Sequence, residues 1–156
     1  MQGVDECENC GGDLRTSDIP QPGGLLEARL VSDQLEDVRR REPIFVSRDT
    51  PLRVAVRTMR DERATCLLVG EGRRLDGILT EGNLLVRAAG ASLDGVRVAD
   101  VMTLDPVTLR EDDTVAVAIH TMAQGGFRHL PLMADGRVVG IVAAQDLFRH
   151  ILRIVG

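Results

Sequence analysis

The chain lacks lysine, tryptophan and tyrosine, and its 156 residues include only three phenylalanines. With an aromatic content of 2%, it has few side chains that could stack on unpaired bases. Its net charge of −5 also works against binding to a phosphate backbone. These two shortages argue against a nucleic-acid-binding protein. All 19 basic residues are arginine, whose planar guanidinium group favours bidentate contacts with anions.

Long apolar runs and a disulfide framework are absent as well. No apolar run approaches the roughly 18 residues that a membrane span requires. The acidic residues 1–6 lack the basic and apolar regions of a secretory signal. Three cysteines are an odd number, which argues against a framework of disulfides. We therefore expect a cytoplasmic protein with no membrane partner, in which 44% apolar residues fill one sizeable core or two small ones.

What the sequence does contain is an internal repeat. Residues 98–146 repeat residues 35–83 with an offset of 63, so that Gly77-Ile78 recurs as Gly140-Ile141 and Thr58-Met59 as Thr121-Met122. Two copies with so long a period predict two small domains packed together and not a solenoid. We divide the chain into a knuckle and linker (1–24), a linker helix with the first domain (25–95) and the second domain (96–156).

Each copy predicts the element order β-α-β-β-α. The expected fold class is therefore mixed α/β (α+β). In the first copy, Leu52, Ala55, Val56 and Met59 have the spacing of one helix face. In the second, Asp135-Gly136 lies between two apolar runs and predicts a hairpin. A further helix is expected over residues 25–40, ahead of the first strand at residues 43–46.

The second copy carries an ordered set of motifs, which are Asp105-Pro106-Val107-Thr108, Phe127-Arg128-His129-Leu130-Pro131 and Gly140-Ile141-Val142-Ala143-Ala144-Gln145-Asp146. This succession resembles a cystathionine-beta-synthase (CBS) domain, and two in tandem resemble a CBS pair, or Bateman module. The resemblance covers about residues 35–156. It implies two units packed sheet to sheet about a pseudo-twofold axis, with two clefts between them.

The family's ligand-binding signature is Gly, two apolar residues, Thr or Ser, any two residues, then Asp or Asn. The first copy satisfies it with Gly77, Thr80 and Asn83, while the second has Ala143 in place of the hydroxyl and keeps Asp146. A turn from strand to helix presents such groups together with free amides. The resemblance makes Asp146 the best candidate ribose ligand. The alternative is that Asp146, Thr80 and Asn83 cap their helices.

The resemblance also assigns Arg128 and His129 to a phosphate group and Thr108 to adenine. The corresponding residues of the first copy are Thr65, Cys66 and Phe45, so the basic pair occurs once. We therefore expect one competent cleft, built mainly by the second copy. The alternative is that Arg128 and His129 are ordinary surface residues.

We expect no enzymatic activity. Cys66 and His129 occupy equivalent positions in the two copies, but this equivalence does not bring a thiolate and an imidazole within hydrogen-bonding reach. The sequence contains neither a Walker loop nor a dinucleotide-binding fingerprint. Nucleotide binding would therefore serve sensing and not hydrolysis.

The N-terminal Cys7-Glu8-Asn9-Cys10-Gly11 resembles half of a zinc ribbon. Tetrahedral zinc requires four ligands, and the sequence has no second cysteine pair. A zinc site shared between two chains, a redox dithiol and an incomplete knuckle all remain open. We expect less than one zinc per chain.

Together these observations predict a regulatory module that binds an adenosine-containing ligand. AMP, ADP or ATP is the first expectation and S-adenosylmethionine the second. An effector protein would read the occupancy through an interface. A homodimer is expected because the first helices of both copies carry more apolar residues than one small core needs, namely Leu52, Val56, Met59, Val115, Ile119 and Met122. The rival hypothesis is a scaffold or adaptor with empty clefts.

Overall fold

The computed structural model describes residues 24–88 and 92–156. Within them, helices and strands follow the predicted order in both copies, with one added strand. The elements are α1 (Leu25–Ser32), β1 (Phe45–Val46), α2 (Leu52–Asp61), β2 (Cys66–Val69), β3 (Gly77–Thr80), α3 (Glu81–Ala88), β4 (Thr103–Leu104), β5 (Leu109–Arg110), α4 (Val115–Gly125), β6 (His129–Ala134), β7 (Arg137–Ala143) and α5 (Ala144–Val155).

Each copy builds its own sheet. In the first, β1 runs parallel to β2, and β2 runs antiparallel to β3. In the second, β5 and β6 are parallel and β6 and β7 are antiparallel. The β6–β7 hairpin turns at Asp135 and Gly136 with φ angles of 49° and 73°, which are the left-handed values that a two-residue hairpin turn requires. The predicted fold class is confirmed.

Each sheet is completed by the segment that leads into the other copy. β4 lies ahead of the second copy's first strand and pairs antiparallel with β3, at Gly77 and Ile78. Its counterpart is the bridge from Arg41 to Ile141 of β7, in which each residue's N–H donates to the other's carbonyl oxygen at 2.9 and 3.1 Å. The chain therefore crosses between the units twice, and this exchange fixes how the units face each other.

The cores follow the same exchange. Leu35 and Val38 precede the first copy's strands, yet they pack in the second unit's core with Val115 and Leu130. Val98 in turn packs in the first unit's core. Leu35 is 0% exposed, and its burial contributes roughly 2 kcal/mol. Helix α1 also contacts α4 and α5 of the second unit. Packing therefore crosses the boundary near residue 95, and the domain boundaries stay a prediction.

The two sheets meet through a third apolar cluster at the pseudo-twofold axis. Cys66, Leu68 and Ile78 of the first sheet pack there against Val138 and Ile141 of the second. The contact lies two residues before the ends of β3 and β7, at Ile78 and Ile141, and so places both strand-to-helix turns beside the interface.

Two sequence expectations fail in detail. The helix expected over residues 25–40 ends at Ser32, because Asp33 has an extended backbone and a 3-10 turn at Leu35–Asp37 follows. The argument for a dimer was also wrong in its choice of residues. Four of the six lie in the units' own cores (Leu52, Met59, Val115, Met122), and Val56 and Ile119 pack partly buried against them.

Candidate functional site

Two clefts open where a strand passes into a helix at the unit interface. Cleft A lies at the β3–α3 turn and is bounded on its other sides by residues 103–107 and 126–129, with a volume of about 630 Å³. Cleft B lies at the equivalent β7–α5 turn, beside Arg41 and Thr65, with a volume of about 460 Å³. Glu81, Arg128 and His129 line both clefts and form the wall between them.

The β3–α3 turn at cleft A is held by a reciprocal cap. The Thr80 N–H and hydroxyl both donate to Asn83 Oδ1, at 2.9 and 2.8 Å, and the Asn83 N–H donates back to Thr80 Oγ1 at 3.3 Å. The Asn83 amide also donates to Thr103 Oγ1 at 3.2 Å. The capping alternative is therefore realised for both residues. Thr80 lines cleft A, whereas Asn83 lies on the outer side of the turn.

The β7–α5 turn at cleft B is bonded to an arginine from a distant segment. The Asp146 carboxylate is 2% exposed and accepts from the Ala143 N–H at 3.1 Å, which caps α5. Arg41 donates to both Asp146 oxygens, at 3.1 and 3.4 Å, and to Gln145 Oε1 at 3.3 Å. The oxygens that the resemblance assigned to a ribose are thus already bonded to the Arg41 guanidinium.

His129 sits in the shared wall. Its Nε2 lies 2.7 Å from Thr65 Oγ1. Burial lowers the pKa of His129 below its ordinary value, and the charge of Arg41 lowers it further. His129 is therefore neutral near pH 7, and its contribution to either cleft is hydrogen bonding without charge.

The structure divides the predicted ligand residues between the clefts. Thr80 lines cleft A and Asp146 lies at the turn of cleft B, while Arg128 and His129 line both clefts. Thr108 is exposed and follows Val107, which lines cleft A. The expected grouping in one cleft built mainly by the second copy stays a prediction, and the exchanged segments also bring residues 103–107 to the first copy's turn.

The cysteines do not form a described site. Cys7 and Cys10 lie outside the described residues. Within residues 24–88 and 92–156, no group of three or more His, Cys, Asp or Glu side chains is arranged to hold a metal ion. Cys66 is free and buried, and burial raises the pKa of its thiol to about 12.

Comparison with known families accounts for the duplicated turns. The CBS domain family matches residues 35–90 and again residues 98–153. The chain belongs to the CBS domain family. Its two copies form a tandem CBS pair, which is a regulatory module.

Related proteins carry the same pair. The CBS domain-containing protein CBSCBSPB3 of Arabidopsis thaliana is 34% identical over 114 residues, which are 71% of this chain and 20% of that protein. The chain spans 60% and 62% of two further relatives. The crystal structure of CBSX2 in complex with AMP matches 79% of this chain and 99% of that one, with a TM-score of 0.70 and 24% identity. The CBS pair of MJ0100, in complex with 5′-methylthioadenosine and S-adenosylmethionine, matches 75% and 98% with a TM-score of 0.68 and 24% identity.

Sequence reasoning overlooked the residues that distinguish the two clefts of this CBS pair. Gly82 and Gln145 are equivalent in the repeat, and so are Leu104 and Arg41. Gln145 and Arg41 bond to each other in cleft B, while Gly82 leaves the turn of cleft A without a side chain. Comparing the two copies position by position was the signal that would have found them.

In the part of the CBS pair that the structure describes, none of the helices combines the length and apolar character needed to cross a bilayer.

Proposed function

We propose that this CBS pair is a regulatory module that binds one adenosine-containing ligand in cleft A. The observation that carries the proposal is that the Asp146 carboxylate at the turn of cleft B is already bonded to the chain's own Arg41, whereas Thr80 and Asn83 at the turn of cleft A bond to each other. A volume of about 630 Å³ is in the range of small-molecule sites. Cleft A also combines an apolar wall with a few polar groups, as such sites do.

The residues of cleft A divide into three roles. Ile78, Leu85 and Val107 supply the apolar surface for the adenine ring. The hydroxyl of Thr80, at the start of α3, is placed for the ribose, and Asn83 positions Thr80 through their reciprocal bonds. Arg128 and His129 face the 5′ substituent, and Thr108 lies at the rim. In cleft B, Asp146 contacts a ribose only after Arg41 has left it.

The ligands of similar structures support this class of ligand. CBSX2 was crystallised with AMP, and the pair of MJ0100 with 5′-methylthioadenosine and S-adenosylmethionine. An adenosine group is the part that these three ligands share. We therefore include AMP, ADP and ATP together with S-adenosylmethionine in the class that cleft A binds.

Occupancy is transmitted because cleft A spans both units. Its turn belongs to the first unit, while residues 126–129 belong to the second. A ligand that contacts both shifts their relative packing by as much as its affinity differs between the two arrangements. An effector protein or a second copy of the chain reads this change.

We propose a homodimer in the cytoplasm, and light scattering that finds a monomer at micromolar concentration would contradict the dimer.

We propose binding without catalysis. Cys66 is buried with a thiol pKa of about 12, and the His129 ring is bonded to Thr65. A thiolate nucleophile activated by an imidazole base is therefore not formed by these residues.

A second candidate is a scaffold or adaptor whose clefts stay empty. The observation that favours it is the Arg41–Asp146 pair, because it removes from cleft B the carboxylate that a ribose would use. In that case neither cleft would respond to nucleosides.

The test is a thermal-shift panel of AMP, ADP, ATP and S-adenosylmethionine on the full chain. A ligand at about 100 times its dissociation constant adds roughly 2.7 kcal/mol of stability. Calorimetry on the positive compounds should give one site per chain. No shift with any compound would leave the scaffold as the function.

A further inference from the structure

Three charged side chains around cleft A are uncommitted within the protein. Glu81, Asp105 and Arg128 line the cleft and are exposed. Among residues 24–88 and 92–156, none of these three side chains takes part in an ion pair or a hydrogen bond. Arg41 and Asp146 of cleft B, by contrast, are bonded to each other. All three unpaired charges therefore face a ligand in cleft A, and two of them, Glu81 and Arg128, also line cleft B.

The backbone holds both carboxylates at the cleft. Glu81 is the first residue of α3, where the helix dipole favours a negative charge. Asp105 has a left-handed φ of 45°, and its N–H donates to the Asp76 carbonyl oxygen at 3.3 Å. This conformation is one that aspartate tolerates better than most residues. Asp105 is thereby fixed between β4 and the apolar Pro106–Val107 wall.

The set has two negative charges and one positive charge. His129 adds none near pH 7, because burial and the neighbouring arginines lower its pKa. A phosphate monoester would bring two negative charges to one guanidinium and two carboxylates. A thioether brings no charge. A sulfonium amino acid brings two cations and one carboxylate, which is the reverse of the set that Glu81, Asp105 and Arg128 present.

We propose that cleft A selects adenosine ligands by the charge of the 5′ substituent, taking neutral and cationic 5′-thio nucleosides in preference to adenine nucleotides. The inference rests on the proposed function and reverses the ligand order expected from the sequence. Glu81 and Asp105 are the specificity-determining residues. Arg128 pairs with the carboxylate of an amino-acid tail.

Asp105 is what distinguishes cleft A in this set, because Glu81 and Arg128 line both clefts whereas Asp105 lines cleft A and not cleft B. The repeat equivalent of Glu81 is Ala144, which carries no charge in cleft B. The equivalent of Asp105 is Glu42, which lines neither cleft. Glu42 therefore offers a matched control, an exposed carboxylate at the same position of the other copy.

The experiment is calorimetric titration of the full chain with S-adenosylmethionine, 5′-methylthioadenosine, AMP and ATP. Titrations at about 50 mM and about 500 mM salt test whether the difference in affinity is electrostatic, because salt screens interactions between exposed charges. At low salt we expect S-adenosylmethionine to bind about tenfold more tightly than AMP, with ATP weaker still, which is the scale that one or two partly exposed charge contacts produce. High salt should reduce the difference in affinity between S-adenosylmethionine and the two nucleotides.

The double variant Glu81→Gln with Asp105→Asn leaves Arg128 as the uncommitted charge and should reverse the order of AMP and S-adenosylmethionine. Glu42→Gln should leave the wild-type order in place, and thermal melts check that each variant folds. AMP or ATP binding most tightly to the wild type would overturn the inference while leaving the proposed function standing. An unchanged order in the double variant would also overturn it. If none of the four compounds binds, the proposed function fails and the inference fails with it.

Discussion

Clefts A and B are built from equivalent turns but differ at several positions of the repeat, among them Glu81, whose equivalent is Ala144. Cleft A has Thr80, Gly82, Asn83 and Leu104 where cleft B has Ala143, Gln145, Asp146 and Arg41. In cleft A the cap is made within the turn, by Thr80 and Asn83. In cleft B the second partner of Asp146 is Arg41, which arrives from a distant segment. The duplicated backbone provides two clefts, and these side chains decide how the carboxylate or amide at each turn is bonded.

The largest expected effect is that of Arg41→Ala. Asp146 keeps the Ala143 N–H and the longer ion pair with Arg149 at 3.7 Å but loses Arg41, which we expect to cost about 1–3 kcal/mol of unfolding free energy. The same change removes the guanidinium from both carboxylate oxygens, while the Ala143 N–H stays on Oδ2, so calorimetry should find two nucleoside sites per chain in place of one.

The matched control is Arg40→Ala. Arg40 precedes Arg41 in the same segment, but pairs with Glu111 at 2.6 Å and leaves Asp146 untouched. It should keep one site. A single site in both variants would show that Arg41 does not prevent nucleoside binding in cleft B.

The next effect distinguishes the two strands that lead into the clefts. A Cβ at Gly77 would lie 2.8 Å from the Thr103 carbonyl oxygen, which belongs to the backbone of β4. A Cβ at Gly140 would lie 2.9 Å from Arg40 Cδ, part of a flexible side chain that can move. We expect Gly77→Ala to cost about 1–3 kcal/mol in urea unfolding and Gly140→Ala clearly less. Equal losses would contradict the difference in packing.

A smaller effect should come from Thr80→Ala. Loss of the cap should cost about 1 kcal/mol of stability. The loss of the hydroxyl should weaken nucleoside binding to cleft A by about tenfold, which corresponds to the loss of one hydrogen bond to the ligand. Asp146→Ala should leave that affinity nearly unchanged, because its carboxylate is occupied by Arg41. Calorimetry that finds the larger loss in Asp146→Ala would return the principal site to cleft B.

The smallest effect concerns pH and the wall that the clefts share. The pKa of His129 is lower in the folded chain than its ordinary value of 6.5, so the unfolded chain binds more protons as the pH falls. Stability from this residue is present above about pH 6.5 and is lost below it. Thermal melts between about pH 7 and pH 5 should therefore decline less steeply for His129→Gln than for the wild type. Equal declines in melting temperature for the two proteins would argue that His129 makes no such contribution to the pH dependence of stability.

The sequence predicted the elements that depend on neighbouring residues. The apolar stripe of α2, the Asp135-Gly136 turn and the Gly-x-x-Thr-x-x-Asn cap all rest on contacts within a few positions of the chain. The repeat at an offset of 63 likewise predicted two similar units. The family assignment followed from these local patterns in their order, and the family match to both copies confirmed it.

Only the tertiary structure decided which residues share a cleft. Arg41 and Asp146 are 105 residues apart, and they meet because the segment before each unit pairs with the sheet of the other. The same exchange moves residues 103–107 to the turn of the first copy, and so brings Asp105 to the cleft that Thr80 lines. Repeat periodicity gives each residue its equivalent in the other copy. Contacts across the axis depend on how the two units pack, and local spacing carries no information about that packing.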